Sequence, residues 1–244
     1  MDLNTPLVPL AEAVGGAVAA WEDAVAGCPF ARDAQADAEA MTDAGLLQVL
    51  DEFAAVRRHV DAMLARVAAE VVSRSRAELG SEGLARRAGY RSPVTLVSAA
   101  LGAHPGDAAR LARVGDAIAE RMLFSGERAP ARHPHLAVAV AEGRLSTAFS
   151  AEIASMLDQV ALRADPAQLD RTERLLAERA SVLGWKELGV LLARARAHLD
   201  PDGVAPDTRE RHHRRGLCVW EDQDGMIRFD GAADPETGAP IKAA

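Results

Sequence analysis

The chain has 244 residues, 49% hydrophobic and 26% charged, with a net charge of −8, which is an ordinary soluble globular balance with room for one or two domains. Two distant cysteines, Cys28 and Cys218, exclude a disulfide framework and a C-x-x-C metal or redox motif, and no apolar run reaches the ~18 residues of a membrane span. Aromatic residues are only 4%, so packing must rest on small and aliphatic side chains, as in helical bundles.

Residues 1–41 show no sustained period and contain Gly15-Gly16 and Cys28-Pro29, so they predict a loosely ordered leader with at most one short helix. Acids and the prolines Pro6 and Pro9 interrupt its apolar stretch, which argues against a signal peptide and for a cytoplasmic setting. From Thr42, which with Asp43 is a candidate cap, apolar residues at Leu46, Leu50, Phe53, Val60, Leu64, Val67 and Val71 follow the 3/4 spacing of a core-facing helix, broken only by Arg57. At ~1.5 Å per residue that helix would run roughly 45 Å, long enough to organise the fold or to pair with a second copy.

Shorter helices are predicted at Ser81–Ala88, Ser92–Leu101 and Pro105–Met122, opened by Ser92-Pro93 and His104-Pro105 and interrupted by Gly102. The proline-containing stretch 126–134 is a loop. A helical hairpin follows, Leu136–Glu142 and Ser146–Val160, joined at Gly143-Arg144-Leu145, with Leu145, Phe149, Ile153 and Met156 turned inward. Asp165-Pro166 opens another helix to Leu183, and Leu188, Leu191, Leu192, Ala195 and Leu199 mark a last one. The period then changes: GLCVWED and MIRFDG bracket Asp224-Gly225, a strong two-residue hairpin signal. The predicted class is therefore mainly α, a multi-helix bundle over 42–205 with a long N-terminal helix, followed over 206–244 by a basic linker, a small C-terminal β-hairpin and the start of a truncated C-terminal region.

Charge is unevenly spread, which matters more than its total for a polyanionic partner. Ten acids against Arg32 make residues 1–56 net −9, whereas 57–76 and 84–121 are each net +3. Residues 92–118 have a short-helix, glycine-turn, helix layout compatible with a helix-turn-helix, with Arg110 and Arg113 spaced for phosphates or base edges; two successive bundle helices give the same pattern. His212-His213 in TRERHHRR has no third ligand nearby and reads as a basic solvated linker. His133 and His135 read as surface or capping residues, Glu152/Asp158 and Asp170/Glu173 as ordinary helix-surface carboxylates, and Trp185 and Trp220 as core or hairpin anchors. No P-loop, nucleophile elbow or dinucleotide loop is present.

Taken in order, LARVGDAIAER, AEGRLSTAFSAEIASML, ELGVLLARARAHLDPD and ERHHRRGLCVWEDQDGMIRFDGAADPETGAP resemble the domain of unknown function family 222, which includes the mycobacterial 13E12 repeat proteins. The resemblance covers residues 42–244. It implies a helical region that precedes an HNH endonuclease domain, whose histidines and asparagine hold a divalent cation and activate water. Relatives continue past DPETGAP into that nuclease. The HNH signature is absent from these residues, so no catalytic residue carries over, and neither a metal nor another cofactor is expected in this chain.

Two readings follow. One is a nucleic-acid-associated module using Arg86, Arg87, Arg110, Arg113, Arg211, Arg214 and Arg215 as phosphate contacts on DNA. The other is an interaction scaffold, a homo-oligomer through the long helix. Neither involves a membrane.

Overall fold

The computed structural model describes residues 7–26, 33–122, 126–201, 215–221 and 224–233. The chain is mainly helical with a small C-terminal two-stranded antiparallel sheet. The helices, in chain order, are α1 (Val8–Val25), α2 (Ala34–Ala40), α3 (Asp43–Ser73), α4 (Leu84–Arg87), α5 (Pro93–Leu101), α6 (Pro105–Ile118), α7 (Pro134–Ala141), α8 (Thr147–Val160), α9 (Pro166–Arg179) and α10 (Trp185–Leu199). A two-residue ladder pairs β1 (Arg121–Met122) with β2 (Arg128–Ala129), and the terminal hairpin pairs β3 (Gly216–Glu221) with β4 (Ile227–Ala232).

Helix starts follow local chemistry. The side chains of Thr42, Ser92, His104, Ser146 and Asp165 each accept a backbone N–H of the turn they open, and proline follows directly at Pro93, Pro105 and Pro166. Gly102 ends α5 in the left-handed conformation that glycine takes without a steric penalty. α6 stops at Ile118, short of the expected Met122, because Arg121 and Met122 enter the ladder with β2.

α3 is the organising element, and its neighbours change along its length. Its second half packs on α6, whose own opposite face meets α8, while its first half packs on α1. The main core gathers Ala62, Ala65 and Ala68 of α3 with Ala108, Leu111, Val114 and Ile118 of α6, Leu136 and Val140 of α7, Ile153 and Leu157 of α8, and Leu176 of α9. Gly115 lets α6 lie against the Ala65 carbonyl. A second, small cluster of Ala20, Met41 and Val49 joins α1, α2 and α3.

Two expectations change here. Residues 8–25, assigned at most a short helix, form an 18-residue helix running antiparallel to α3, with Ala24 beside Gly45 and Gly16 beside Glu52. Its contact face is built of glycine and alanine (Gly16, Ala17, Ala20), which carry too little hydrophobicity to show a period. The Trp21 indole donates to Asp37 of α2 at 3.0 Å and its ring meets Phe53 edge-on, so α1 and α2 are fastened to α3. The second change concerns α3 itself. The stripe expected to face the core is substantially exposed at Leu46, Leu50, Phe53, Val60 and Val67; the buried positions are Val49, Ala62, Ala65 and Ala68. Close helix packing selects the alanine face and leaves the large aliphatics outside.

The AEGRLST turn between α7 and α8 is tied to the middle of α3. Gly143 has φ +67°, and its carbonyl accepts Arg58 Nε–H. A Cβ on Gly143 would lie 2.6 Å from His59 Nε2. Burial, and secondarily the Arg58 guanidinium, hold the His59 imidazole below its usual pKa, as befits a ring packed under a turn. Gly143→Ala is expected to cost about 2 kcal/mol, combining left-handed strain with displacement of the His59 ring, measurable as a lower urea midpoint at unchanged m-value.

Trp185 and Trp220 are half-exposed rather than core anchors, although Trp185 rests on Phe149 with ring centroids 5.6 Å apart. In the terminal hairpin the last ladder pair is Glu221 with Ile227, so five residues connect the strands rather than the expected two; Gly225 takes a positive φ, and every residue of both strands is exposed.

Candidate nucleic-acid interface

The expected arginines separate into different settings. Arg86 and Arg87 form the end of α4, both exposed. Arg110 is bound to Asp107 on its own helix, Nη1 to Oδ1 2.9 Å. Arg113 projects from the exposed strip of α6. Arg215 immediately precedes β3, while Arg211 and Arg214, with His212-His213, lie outside the described residues.

Two adjoining depressions bring Arg86 and Arg113 into one arginine-lined surface. The larger, about 820 Å³, has a floor of Val72, Val94, Ala112, Val114 and Ala154, with Arg76, Arg113 and Arg132 among its lining residues. The smaller, about 600 Å³, is lined by Arg76, Arg86 and Arg91 beside Ser92 and Pro93. Arg76 belongs to both, so five guanidinium groups border one continuous surface.

These five are not equivalent. Arg132 is neutralised by Asp116 at 3.2 Å and Asp158 at 3.3 Å. Arg76 donates Nε–H to the Ser73 carbonyl, which orients the group without cancelling its charge. Arg86, Arg91 and Arg113 make no ion pair among the described residues. An unneutralised guanidinium presents a fork of donors matched to phosphate or carboxylate oxygens. Nothing in the sequence distinguishes Arg76, Arg91 and Arg132: 84–121 is conspicuous as a basic block, but which of its arginines meets Arg76 depends on how α3, α4 and α5 fold back on one another.

The helix-turn-helix layout exists as α5, Gly102 and α6, yet α6 cannot serve as a free recognition helix. Seven of its fourteen residues are buried, against α3 and α8, and past its first turn Arg113 and Asp116 are the exposed positions. A helix entering the major groove needs an open face along several turns. α6 therefore lacks the open face that base readout requires.

Beside the larger depression lies a polar chain of two buried residues and one exposed: the sequence reads His133 as a surface or capping residue and Glu173 as a helix-surface carboxylate, yet both are buried, while Asp158 is exposed as expected. His133 is 3% exposed, with Nε2 3.1 Å from Asp158 Oδ1 and Nδ1 3.6 Å from Glu173 Oε2. Glu173 is 4% exposed and accepts the Leu136 N–H at 3.0 Å. These residues come from the start of α7, the end of α8 and the middle of α9, so spacing alone could not assemble them. The arrangement serves the first turn of α7. Among the described residues there is no cluster of three His, Cys, Asp or Glu side chains arranged to hold a metal ion. None of the described helices is long and apolar enough to cross a membrane.

A family model, Domain of unknown function (DUF222), matches residues 47–244. The chain belongs to the DUF222 family. Among curated proteins it is similar to the uncharacterized proteins Mb1179c of Mycobacterium bovis and Rv1148c of Mycobacterium tuberculosis, each 31% identical over 140 residues. Each match takes in 57% of this chain and 31% of the relative. Rv1128c of Mycobacterium tuberculosis is 32% identical over 135 residues, 55% of this chain and 30% of that protein. The chain therefore spans about a third of the length of the curated relatives it matches. No solved structure matches.

Proposed function

We propose that this DUF222 region is a nucleic-acid-associated helical module that grips the phosphate backbone through Arg76, Arg86, Arg91 and Arg113. One observation carries the reading: within an acidic chain, these guanidinium groups border one continuous surface, and Arg86, Arg91 and Arg113 have no carboxylate partner among the described residues. Whole-chain charge works against a polyanion, so the attraction must be local and steeply salt-dependent. The resemblance to proteins in which a helical region precedes an HNH nuclease supplies a context, in which this part holds the duplex and cleavage belongs elsewhere. No catalytic role is assigned to any residue of this chain.

Fluorescence anisotropy with a short labelled duplex across a salt series tests the reading. Arg86→Ala combined with Arg113→Ala is expected to weaken binding at least 10-fold and to flatten the slope of log K against log salt by about 2, near 0.9 for each phosphate no longer neutralised. Arg110→Ala, which removes an arginine already bound to Asp107, is expected to leave both values near those of the parent chain. Absence of binding at low salt, or a double variant that binds as the parent does, would overturn the proposal.

A further inference from the structure

The α1/α3 hairpin carries an apolar face on the side away from the core. Phe53 and Trp21 meet edge-on at its middle. On α3, Leu46, Leu50 and Val60 continue the face to either side of Phe53; on α1, Val14 and Val18 share the Trp21 side at 3/4 spacing. Leu50 is 64% exposed, Val18 51% and Phe53 48%. With the neighbouring Leu7, Leu47 and Val67, also exposed, the face amounts to on the order of 800 Å² per copy, above the ~300–600 Å² of the largest patch on a typical monomer and equal to one side of a standard protein interface.

We infer that this face is the interface of an antiparallel homodimer, in which two α1/α3 hairpins join as a four-helix layer around a two-fold axis passing α3 near residue 55. It is a different surface from the arginine-lined depressions. Three observations select a second copy of this chain in this orientation. First, the residues at 46, 50, 53, 57, 60, 64, 67 and 71 keep a strict alternation of four and three, the 3.5-residue period of a helix seam, and those from 46 to 60 and at 67 are exposed, whereas Leu64 and Val71 pack on the main core.

Second, the one charged member of that seam, Arg57, has an 83% exposed side chain held only by a 3.7 Å contact to Asp61. In the antiparallel register that pairs 50 with 60, position 57 faces 53. Each Arg57 then lies over the Phe53–Trp21 pair of the other copy, a cation–π site. Parallel pairing would instead set Arg57 against Arg57. Third, the two halves of the seam differ in charge: its first half holds Asp43, Asp51 and Glu52 and no base, whereas in its second half Arg57, Arg58 and Arg66 outnumber Asp61 and Glu70. The antiparallel arrangement sets acidic half against basic half, and the parallel one sets like against like.

Sedimentation equilibrium of the 244-residue chain from 1 to 100 µM tests association, with Leu50→Glu alongside. Dimers that dissociate at least 100-fold more readily in the variant, at unchanged helical circular dichroism, are the expected result. A chain that stays monomeric at 100 µM, or dimers that Leu50→Glu leaves intact, would overturn the inference. For orientation, a nitroxide on Asp43→Cys in a Cys28→Ser, Cys218→Ser background should report a separation near ~36 Å, from 24 residues of rise between 43 and 67, whereas ~10 Å would overturn the antiparallel arrangement. The Arg86→Ala, Arg113→Ala double variant is expected to dimerise normally, so loss of DNA binding and loss of the dimer are separable results.

Discussion

Gly115→Ala is expected to destabilise the fold by at least about 3 kcal/mol, the upper end of overpacking costs, and to lower the melting temperature by roughly 6–12 °C. The added Cβ would lie 1.9 Å from the Ala65 carbonyl oxygen, 2.6 Å from its carbon and 2.8 Å from Ala69 Cβ. Two of those three atoms are backbone in the middle of a 31-residue helix, so no rotamer change relieves the contact; α6 must move away from α3. That separation would loosen the packing of Ala62, Ala65, Ala108, Leu111 and Val114, which is where the main core is anchored. Trimming Ala69 to glycine would remove only the longest of the three contacts and should rescue little. Gly189→Ala provides the contrast: nothing lies within 4 Å of its Cβ position on exposed α10, and it is expected to stabilise by up to about 1 kcal/mol through helix propensity. Thermal melts followed by helical circular dichroism check both, and a Gly115→Ala chain as stable as its parent would mean that the α3–α6 approach is not this close.

Sequence does not separate these two glycines, since both sit inside helical patterns and differ only in what another helix brings beside them. Helix starts at Thr42, Ser92, His104, Ser146 and Asp165 are legible in the sequence because a cap is a contract between residues two or three apart. The presence of a hairpin around Asp224-Gly225 is legible from the change of period, but its two-residue register is not: the strands close at Glu221 and Ile227. Which face of α3 is buried is not, because hydrophobic periodicity weighs side chains by size while the α3–α6 contact is made by Ala62, Ala65, Ala68 and Gly115. The same blindness to small residues hides α1. For the arginine surface, Arg86 and Arg113 stand out as members of a basic block, but Arg76 joins them only through the return of the chain after α3, and Arg110 differs from them only through its bond to Asp107. His133 and Glu173 are forty residues apart and meet only because α9 packs on α7.

Glu173→Ala is expected to cost about 3 kcal/mol, because its carboxylate does the work of a cap supplied from another helix. α7 starts at Pro134, and its N-cap residue His133 makes no side-chain cap hydrogen bond. The N–H of Leu136, a residue with no solvent exposure, is bound instead by Glu173 Oε1, while Oε2 faces His133 Nδ1. Deleting the carboxylate strands a buried donor, removes a negative group from the positive end of α7 and leaves His133 with Asp158 alone. Glu173→Gln keeps an acceptor for Leu136 and gives up only the charge, so its cost should be nearer about 1 kcal/mol. Urea unfolding would rank the two variants, and amide exchange at Leu136 would locate the effect: protection there should fall sharply in the alanine variant and largely persist in the glutamine one. Equal costs for both would assign the contribution to charge rather than to the hydrogen bond, and no cost for either would show that α7 holds its first turn without α9.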